Sequence, residues 1–280
     1  MKALGYLIIV VCIQLASGPA LAQLNPKLLS EAISERMERV PEFNYIREEA
    51  ERLGIRVYLF GGTASGFAHY VKWDLLREQG DSRLQPDRFD YDFVNIYRAN
   101  QDLDLVVDGP AHKIKELKER LQAKFPHFQG SKEAWELRSL REDYEDKKAL
   151  LNSSDFLNQH SDSNSTGLIE LSKAQGSVVN DLFDLNSSPP QFLKDVAEGK
   201  LRYYFSNKHE TTSRFKENLN PPILSVIRFL IKAVQYELEL RNEDLKIVKR
   251  IINNFNPQNP GSESVQRWID KNGRKLFQNA

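Results

Sequence analysis

The first third of the chain alternates between two spacings of apolar residues. Over residues 25–53 apolar residues recur every three or four positions, which predicts helices, with a break near Pro41 and an end at Gly54. Residues 55–60 are predicted to be the first strand, because they contain the apolar run at 57–60, which is typical of a buried strand. Helical spacing returns from Ala64 to about residue 76, and Thr63 is placed to cap this helix.

The middle and the end of the chain repeat these patterns. Strands are predicted at 103–107, 167–171 and 178–185, and helices at 111–124, 133–151, 222–240, 245–255 and 265–277. The predicted fold class is therefore α+β, with a small mixed sheet flanked by helices and a helical region after it. The predicted divisions are an N-terminal helical segment at 23–54, a head at 55–190 and a helical domain at 191–280.

Residues 1–22 have a different composition from the rest. Lys2 is followed by an apolar run and by the small residues Ala20 and Ala22 at alternate positions. This pattern is typical of a secretory signal peptide, and we expect cleavage after Ala22. The run is short for a membrane span, so no stable membrane insertion is expected after cleavage. The predicted location is therefore outside the cytoplasm, in a periplasm or secreted.

Composition excludes several kinds of site. The single cysteine, Cys12, lies within the predicted leader, so the processed chain is expected to have no disulfide, cysteine nucleophile or thiolate metal site. Hydrophobic residues make up 40% and charged residues 28% of the 280 residues, as in a soluble globular protein. The charges nearly balance, so overall charge does not indicate nucleic-acid binding.

Two short motifs carry the candidate chemistry. Gly61 and Gly62 follow the first predicted strand, so backbone N–H groups can approach a phosphate closely and the next helix can direct its N-terminus there. Asp102 and Asp104 are two residues apart at the start of the second strand and share one of its faces. Paired carboxylates suit Mg²⁺, or Mn²⁺, and two such ions can activate a hydroxyl and neutralise a leaving pyrophosphate.

Other polar residues are candidates for supporting roles. Glu170 is the candidate third carboxylate because it lies in a predicted strand, and Asp181 and Asp184 are alternatives. Thr63 and Ser65 are candidate hydrogen-bond donors to phosphate. The remaining candidates are basic residues: Lys208 and Arg214 for the triphosphate and Arg202 for a nucleic acid.

Taken in this order, the motifs resemble the nucleotidyltransferase superfamily related to DNA polymerase beta. The resemblance is closest to the head and neck of bacterial tRNA nucleotidyltransferases and poly(A) polymerases, and it covers roughly residues 55–255. The stretch 192–202 resembles the sequence that follows the family's head, and 214–229 resembles the start of its neck helix. The resemblance implies a nucleotidyltransferase head, a neck-like helical domain, a nucleoside triphosphate such as ATP as donor, and an RNA or protein hydroxyl as acceptor.

The chain departs from the family pattern at positions that bear on activity. Thr63 and the residues after it replace the family's Arg-Asp, and Pro222 and Ser225 stand where the neck arginines that read the base are expected. Two functions from different classes therefore remain open. One is an active metal-dependent nucleotidyltransferase, including one delivered into another cell. The other is an exported binding or interaction protein with this fold and no turnover.

Overall fold

Helices and a small sheet make up the part of the chain described by the computed structural model. It describes residues 23–80, 103–126, 135–139, 167–171, 177–178, 191–201, 226–227, 229–230, 233 and 238–253. Its helices are α1 (Pro26–Met37), α2 (Pro41–Leu53), α3 (Gly61–Glu78), α4 (Ala111–Lys124), α5 (Gln191–Glu198) and α6 (Asn242–Asn253). Its strands are β1 (Arg56–Phe60), β2 (Leu103–Asp108), β3 (Trp135–Ser139), β4 (Gly167–Glu170), β5 (Ser177–Val178), β6 (Lys200–Leu201) and β7 (Glu239–Leu240). The prediction of helices combined with a small sheet is confirmed.

The chain forms two compact units. The first runs from Ala22 to Glu198 and contains α1 to α5 and β1 to β5, while the described residues from Gly199 onward belong to the second. Helix α5 therefore belongs to the first unit, whereas the sequence predicts that residues 191–280 form one helical domain. None of the described helices is both long enough and apolar enough to cross a membrane.

The two N-terminal helices begin and end where their sequence predicts. The Asn25 side chain caps α1 by accepting a hydrogen bond of 2.9 Å from the backbone N–H of Lys27. Pro41 is the first residue of α2, where its missing N–H removes no helical hydrogen bond. Gly54 ends α2 with a φ of 60°, in the left-handed region that favours glycine. The predicted break and end of this helical segment are confirmed.

The five strands of the first unit form one sheet in the order β3-β2-β1-β4-β5. β1 is antiparallel to both β2 and β4, β4 is antiparallel to β5, and β2 is parallel to β3. The parallel pair is connected through α4, because parallel neighbours need a crossover. One face of the three central strands is apolar and fully buried; it comprises Val57, Leu59, Leu105, Val107 and Ile169.

Strand β3 corrects the predicted helix at 133–151. Residues 135–139 pair with β2, and the rest of the predicted helix lies outside the described residues. Trp135 and Leu137 alternate with Glu136 and Arg138, which is the period of a strand. The high charge of this segment favoured a helix, but pairing with a buried strand decides its structure.

Helix α3 is the central helix of the first unit, and it begins three residues before the predicted start at Ala64. It contacts β1, β2, β4, α1 and α5, and the Phe67 ring meets Phe43 of α2 edge to face at 5.5 Å. Because neighbours surround it, even polar side chains of α3 are buried: Ser65, His69 and Lys72 are each at most 1% exposed. The predicted cap at Thr63 is wrong, since Phe60 is the N-cap residue.

The second unit contains a short parallel strand pair and α6. Lys200 pairs with Glu239 and Leu201 with Leu240, so the final residues of the predicted helix at 222–240 are a strand instead. The described residues between 226 and 233 are helical. Arg241 donates hydrogen bonds of 2.7 and 2.9 Å to the buried carboxylate in the first turn of α6. The predicted helix at 265–277 lies outside the described residues.

A partly buried ion cluster connects α1 to α3. The Nε of Arg36 donates to Asp74 at 2.7 Å and its Nη2 donates to Glu78 at 2.9 Å, with the Arg36 side chain 8% exposed. The two carboxylates raise the pKa of Arg36, although burial opposes that rise. The arginine therefore stays charged and joins α1 to the last turns of α3.

Replacing Arg36 by alanine is expected to lower the free energy of unfolding by about 3 kcal/mol, since it leaves the partly buried carboxylate of Asp74 without this cation. This loss is at the low end of what removing one partner of a buried ion pair costs, because Arg77 still contacts Asp74. Urea unfolding followed by tryptophan fluorescence measures it. Arg39→Ala is the matched control, because Arg39 pairs with Glu35 on the surface of the same helix. Equal losses for the two variants would contradict this role of Arg36.

Replacing Lys72 by methionine is expected to stabilise the protein at neutral pH. Burial lowers the pKa of Lys72 to about 8, against 10.5 for the ordinary group, so protonation disfavours the folded state by up to about 3 kcal/mol. This penalty is complete below pH 8 and fades as pH rises towards 10.5, because only the unfolded chain then binds the proton. The gain from methionine should therefore shrink over that interval.

Unfolding free energies at pH 7 and pH 10 measure the effect of Lys72→Met. Lys115→Met is the control, since the Lys115 side chain is 81% exposed and its replacement should change little at either pH. A Lys72→Met variant less stable than the parent at pH 7 would refute the interpretation that burial disfavours the charge.

Candidate functional site

The site is built at the carboxyl end of β1, where the chain turns directly into α3. Gly61 has a φ of 60°, a backbone conformation that residues other than glycine adopt only with strain. Helix α3 starts at this glycine, and its N-cap residue, Phe60, provides no side-chain hydrogen bond to the helix start. The first N–H groups of the helix, from Gly61 to Thr63, therefore receive no acceptor from the capping side chain. Such a helix start is suited to an anion.

Ser65 places a hydroxyl one turn into this helix. Ser65 is fully buried, and its Oγ has no hydrogen-bond partner among the described residues. Residues four apart lie on one helix face, so Ser65 shares a face with Gly61. Helical side chains also lean towards the N-terminus. A buried hydroxyl without a partner is rare in native proteins, and here it lies beside a helix start that has no side-chain cap.

Asp104 belongs to the same end of the sheet. In the antiparallel pair of β1 and β2, Leu59 is opposite Leu105. Asp104, one residue earlier on β2, is therefore next to Phe60, the last residue of β1. The start of β2 and the glycine turn therefore meet at one edge. Asp102, the other member of the predicted pair, lies outside the described residues. Alternate positions place Asp104 on the face of the sheet opposite the buried apolar one.

Glu136 is a further carboxylate at this edge, in addition to those predicted from the sequence. Asp104 pairs directly with Glu136 in the parallel ladder of β2 and β3. Paired positions on adjacent strands share a face and are about 5 Å apart. The available signal was the apolar-acid-apolar sequence Trp135-Glu136-Leu137 at strand period. The high charge of the segment favours a helix, so this alternation does not by itself indicate a strand.

Glu170 lies on the same face of the sheet but on the far side of β1. Glu170 is on β4, pairs with Tyr58 of β1 and is 2% exposed. Tyr58 is two residues before the end of β1, which Gly61 follows. Burial, and secondly the charge of Glu170, raise the pKa of Tyr58 to about 12, so the phenol keeps its proton. Glu170 is therefore a buried carboxylate beside a neutral phenol, further from Asp104 than Glu136 is.

Several predicted site residues lie outside the described part of the chain. These are the alternative third carboxylates Asp181 and Asp184 and the basic candidates Arg202, Lys208 and Arg214. Within the described ranges no three or more histidine, cysteine, aspartate or glutamate side chains form a group that could hold a metal ion.

Comparisons with protein-family models, with curated proteins and with solved structures find no match to this chain.

Replacing Ser65 by alanine is expected to raise the free energy of unfolding by about 1 kcal/mol in the absence of ligand. The variant removes a buried hydroxyl that lacks a partner, and alanine has the higher helix propensity. If the hydroxyl serves a phosphate, the same variant should also bind triphosphate more weakly. Thermal unfolding with and without triphosphate measures both. Ser30→Ala on α1 is the control, and a Ser65→Ala variant that is strongly destabilised would show that the hydroxyl has a structural partner instead.

Proposed function

We propose that the protein is a metal-dependent nucleotidyltransferase that transfers a nucleoside monophosphate from a nucleoside triphosphate, with ATP the expected donor, to a hydroxyl of RNA or another acceptor. The observation that carries this proposal is the meeting, at one edge of the sheet, of the glycine start of α3 with the paired positions Asp104 and Glu136. The first feature suits a triphosphate and the second suits a divalent cation.

The residue types at this edge suit Mg²⁺ or Mn²⁺. Asp104 and Glu136 occupy paired positions on adjacent strands and would provide hard oxygen ligands, with Asp102 as the third candidate ligand. A bound ion would favour the deprotonated form of the acceptor hydroxyl and neutralise charge on the leaving pyrophosphate. The register favours Glu136 over Glu170 as the carboxylate beside Asp104.

The helix start would hold the triphosphate. Backbone N–H groups of Gly61, Gly62 and Thr63 and the hydroxyl of Ser65 are the donors for its oxygens. The acceptor hydroxyl releases its proton to solvent water and its oxygen attacks the α-phosphorus, while the bond from that phosphorus to the bridging oxygen breaks and pyrophosphate leaves with the bridging oxygen. The residues of the site contribute positioning and charge, so no covalent intermediate on the protein is required.

Export is part of the proposal. The leader predicted at 1–22 would take the protein out of the cytoplasm. Triphosphates are scarce outside the cytoplasm, so delivery into another cell would restore a donor supply. The same leader, together with Pro222 and Ser225 at the positions of base-reading arginines, supports the second candidate, a binding protein with this fold and no turnover.

Incubation of the purified processed protein with Mg²⁺, labelled triphosphates and total RNA or protein tests the proposal. Asp104→Asn is expected to lower transfer at least about 100-fold, because it removes a carboxylate from the ion that neutralises the transferred phosphate. Asp108→Asn is the matched control. It lies on the same strand and face at the opposite end, where it pairs with Arg56 at 3.6 Å, and it should keep its activity.

Two further variants assign the neighbouring carboxylate. Glu136→Gln should lose activity as Asp104→Asn does, and it should weaken Mn²⁺ binding, whereas a loss confined to Glu170→Gln would return the role to Glu170. Transfer by Asp104→Asn at the parental rate would end the proposal. Tight triphosphate binding in calorimetry without release of pyrophosphate would favour the binding protein instead.

A further inference from the structure

The residues that follow the predicted leader are held in the fold by contacts of their own. The backbone N–H of Leu24 donates a hydrogen bond of 3.2 Å to the carbonyl oxygen of Ala197 in α5. Leu24 is 6% exposed, whereas Gln23 before it is exposed. We call this hydrogen bond and the burial of the Leu24 side chain together the Leu24 contact. It fixes the chain only two residues after Ala22, where cleavage is predicted.

The Leu24 contact bears directly on removal of the leader. Hydrolysis of the bond between Ala22 and Gln23 adds water, leaving a carboxylate on Ala22 and an amine on Gln23. Because the active-site cleft of a protease binds several residues on each side of the bond, the cleft must also accept Leu24. Proteolysis is favoured where the backbone is exposed and makes no hydrogen bonds, and Leu24 meets neither condition. The cut therefore requires a chain in which the Leu24 contact is absent.

We propose that the Leu24 contact protects the predicted processing site, so that the leader is removed before the first unit closes and is retained by a chain that folds first. Ala197 lies near the end of the first unit in the sequence, so the contact forms only after α5 has been synthesised. At ordinary rates of synthesis the site stays open for roughly ten to thirty seconds. The inference rests on the export part of the proposed function and is independent of the transfer chemistry.

The size of the protection follows from what the Leu24 contact contains. Burial of a leucine side chain and formation of a backbone hydrogen bond both favour the contact. Together they lower the population in which Leu24 is released by about 100-fold. When release and return are fast, the rate of cleavage follows that population. The folded chain should therefore be cut about 100-fold more slowly than an unfolded substrate of the same sequence.

The experiment compares the folded full-length chain, in detergent, with a peptide of residues 1–30, which lacks α5. Both are treated with a bacterial signal peptidase, and mass spectrometry gives the position and the rate of cleavage. We expect the peptide to be cut after Ala22 and the folded chain to be cut there about 100-fold more slowly. Equal rates, or a peptide cut at a different bond or not at all, would overturn the inference.

Leu24→Asp tests whether the contact itself gives the protection. A carboxylate is costly at this buried position, so the segment should be released and the folded variant cut almost as fast as its own peptide. Leu28→Asp is the matched control, because Leu28 on α1 is 39% exposed and its replacement should leave the protection intact. Each rate is divided by that of the peptide with the same substitution, which removes the preferences of the protease. Parental protection in Leu24→Asp would refute the role of the contact.

Hydrogen exchange tests the same opening without any substitution, and it decides the matter if Leu24→Asp fails to fold. In the processed chain the Leu24 amide should exchange about 100-fold more slowly than in an unstructured peptide. Exchange at the unprotected rate would contradict the inference. A protein without nucleotide transfer would give the same cleavage and exchange results, so the two failures are distinguishable.

Discussion

The direct junction between β1 and α3 is the constraint on which the first unit depends. A left-handed conformation at Gly61 lets the chain leave the sheet and enter the helix with no loop between them. The helix that follows is surrounded by three strands and by α1 and α5. Because one glycine sets the direction of this helix, it also sets where the neighbouring helices can pack.

Burial of α3 explains why its polar residues are unusual. Ser65, His69 and Lys72 follow one another at helical spacing on one side of the helix, and all three are excluded from solvent. A helix surrounded by the core normally carries apolar residues on every side. A polar group at such a position reduces stability unless it is hydrogen-bonded, and Ser65, whose hydroxyl has no partner among the described residues, lies beside the candidate anion site. The arginine cluster with Arg36 stabilises the same helix from its far end.

The two faces of the sheet differ in composition. One face is apolar and fully buried across β1, β2 and β4, whereas the opposite face combines the buried residues Tyr58, Phe60, Val106 and Glu170. A strand reverses side at every residue, so the same strands provide a wholly apolar face and a mixed one. The candidate site is at the end of the mixed face because the glycine turn occurs there.

The sequence by itself determined the local features of this protein. The breaks at Pro41 and Gly54, the extent of α4, the buried strands β1 and β2, and the motifs at Gly61 and Asp104 are readable because each depends on neighbours in the chain. The sequence was misleading at residues 135–139, where helix-favouring charge concealed a strand. It also placed a cap at Thr63, because it did not show that the helix starts directly at the end of the strand.

Only the tertiary structure decided which distant residues meet. The parallel pairing of β2 with β3 brought Glu136 beside Asp104, and the position of β4 moved Glu170 to the other side of β1. Strand order and register depend on contacts between segments far apart in the chain, which local periodicity does not encode. The hydrogen bond from Leu24 to Ala197 in α5 has the same origin, since it joins residues that are far apart in the sequence of the first unit.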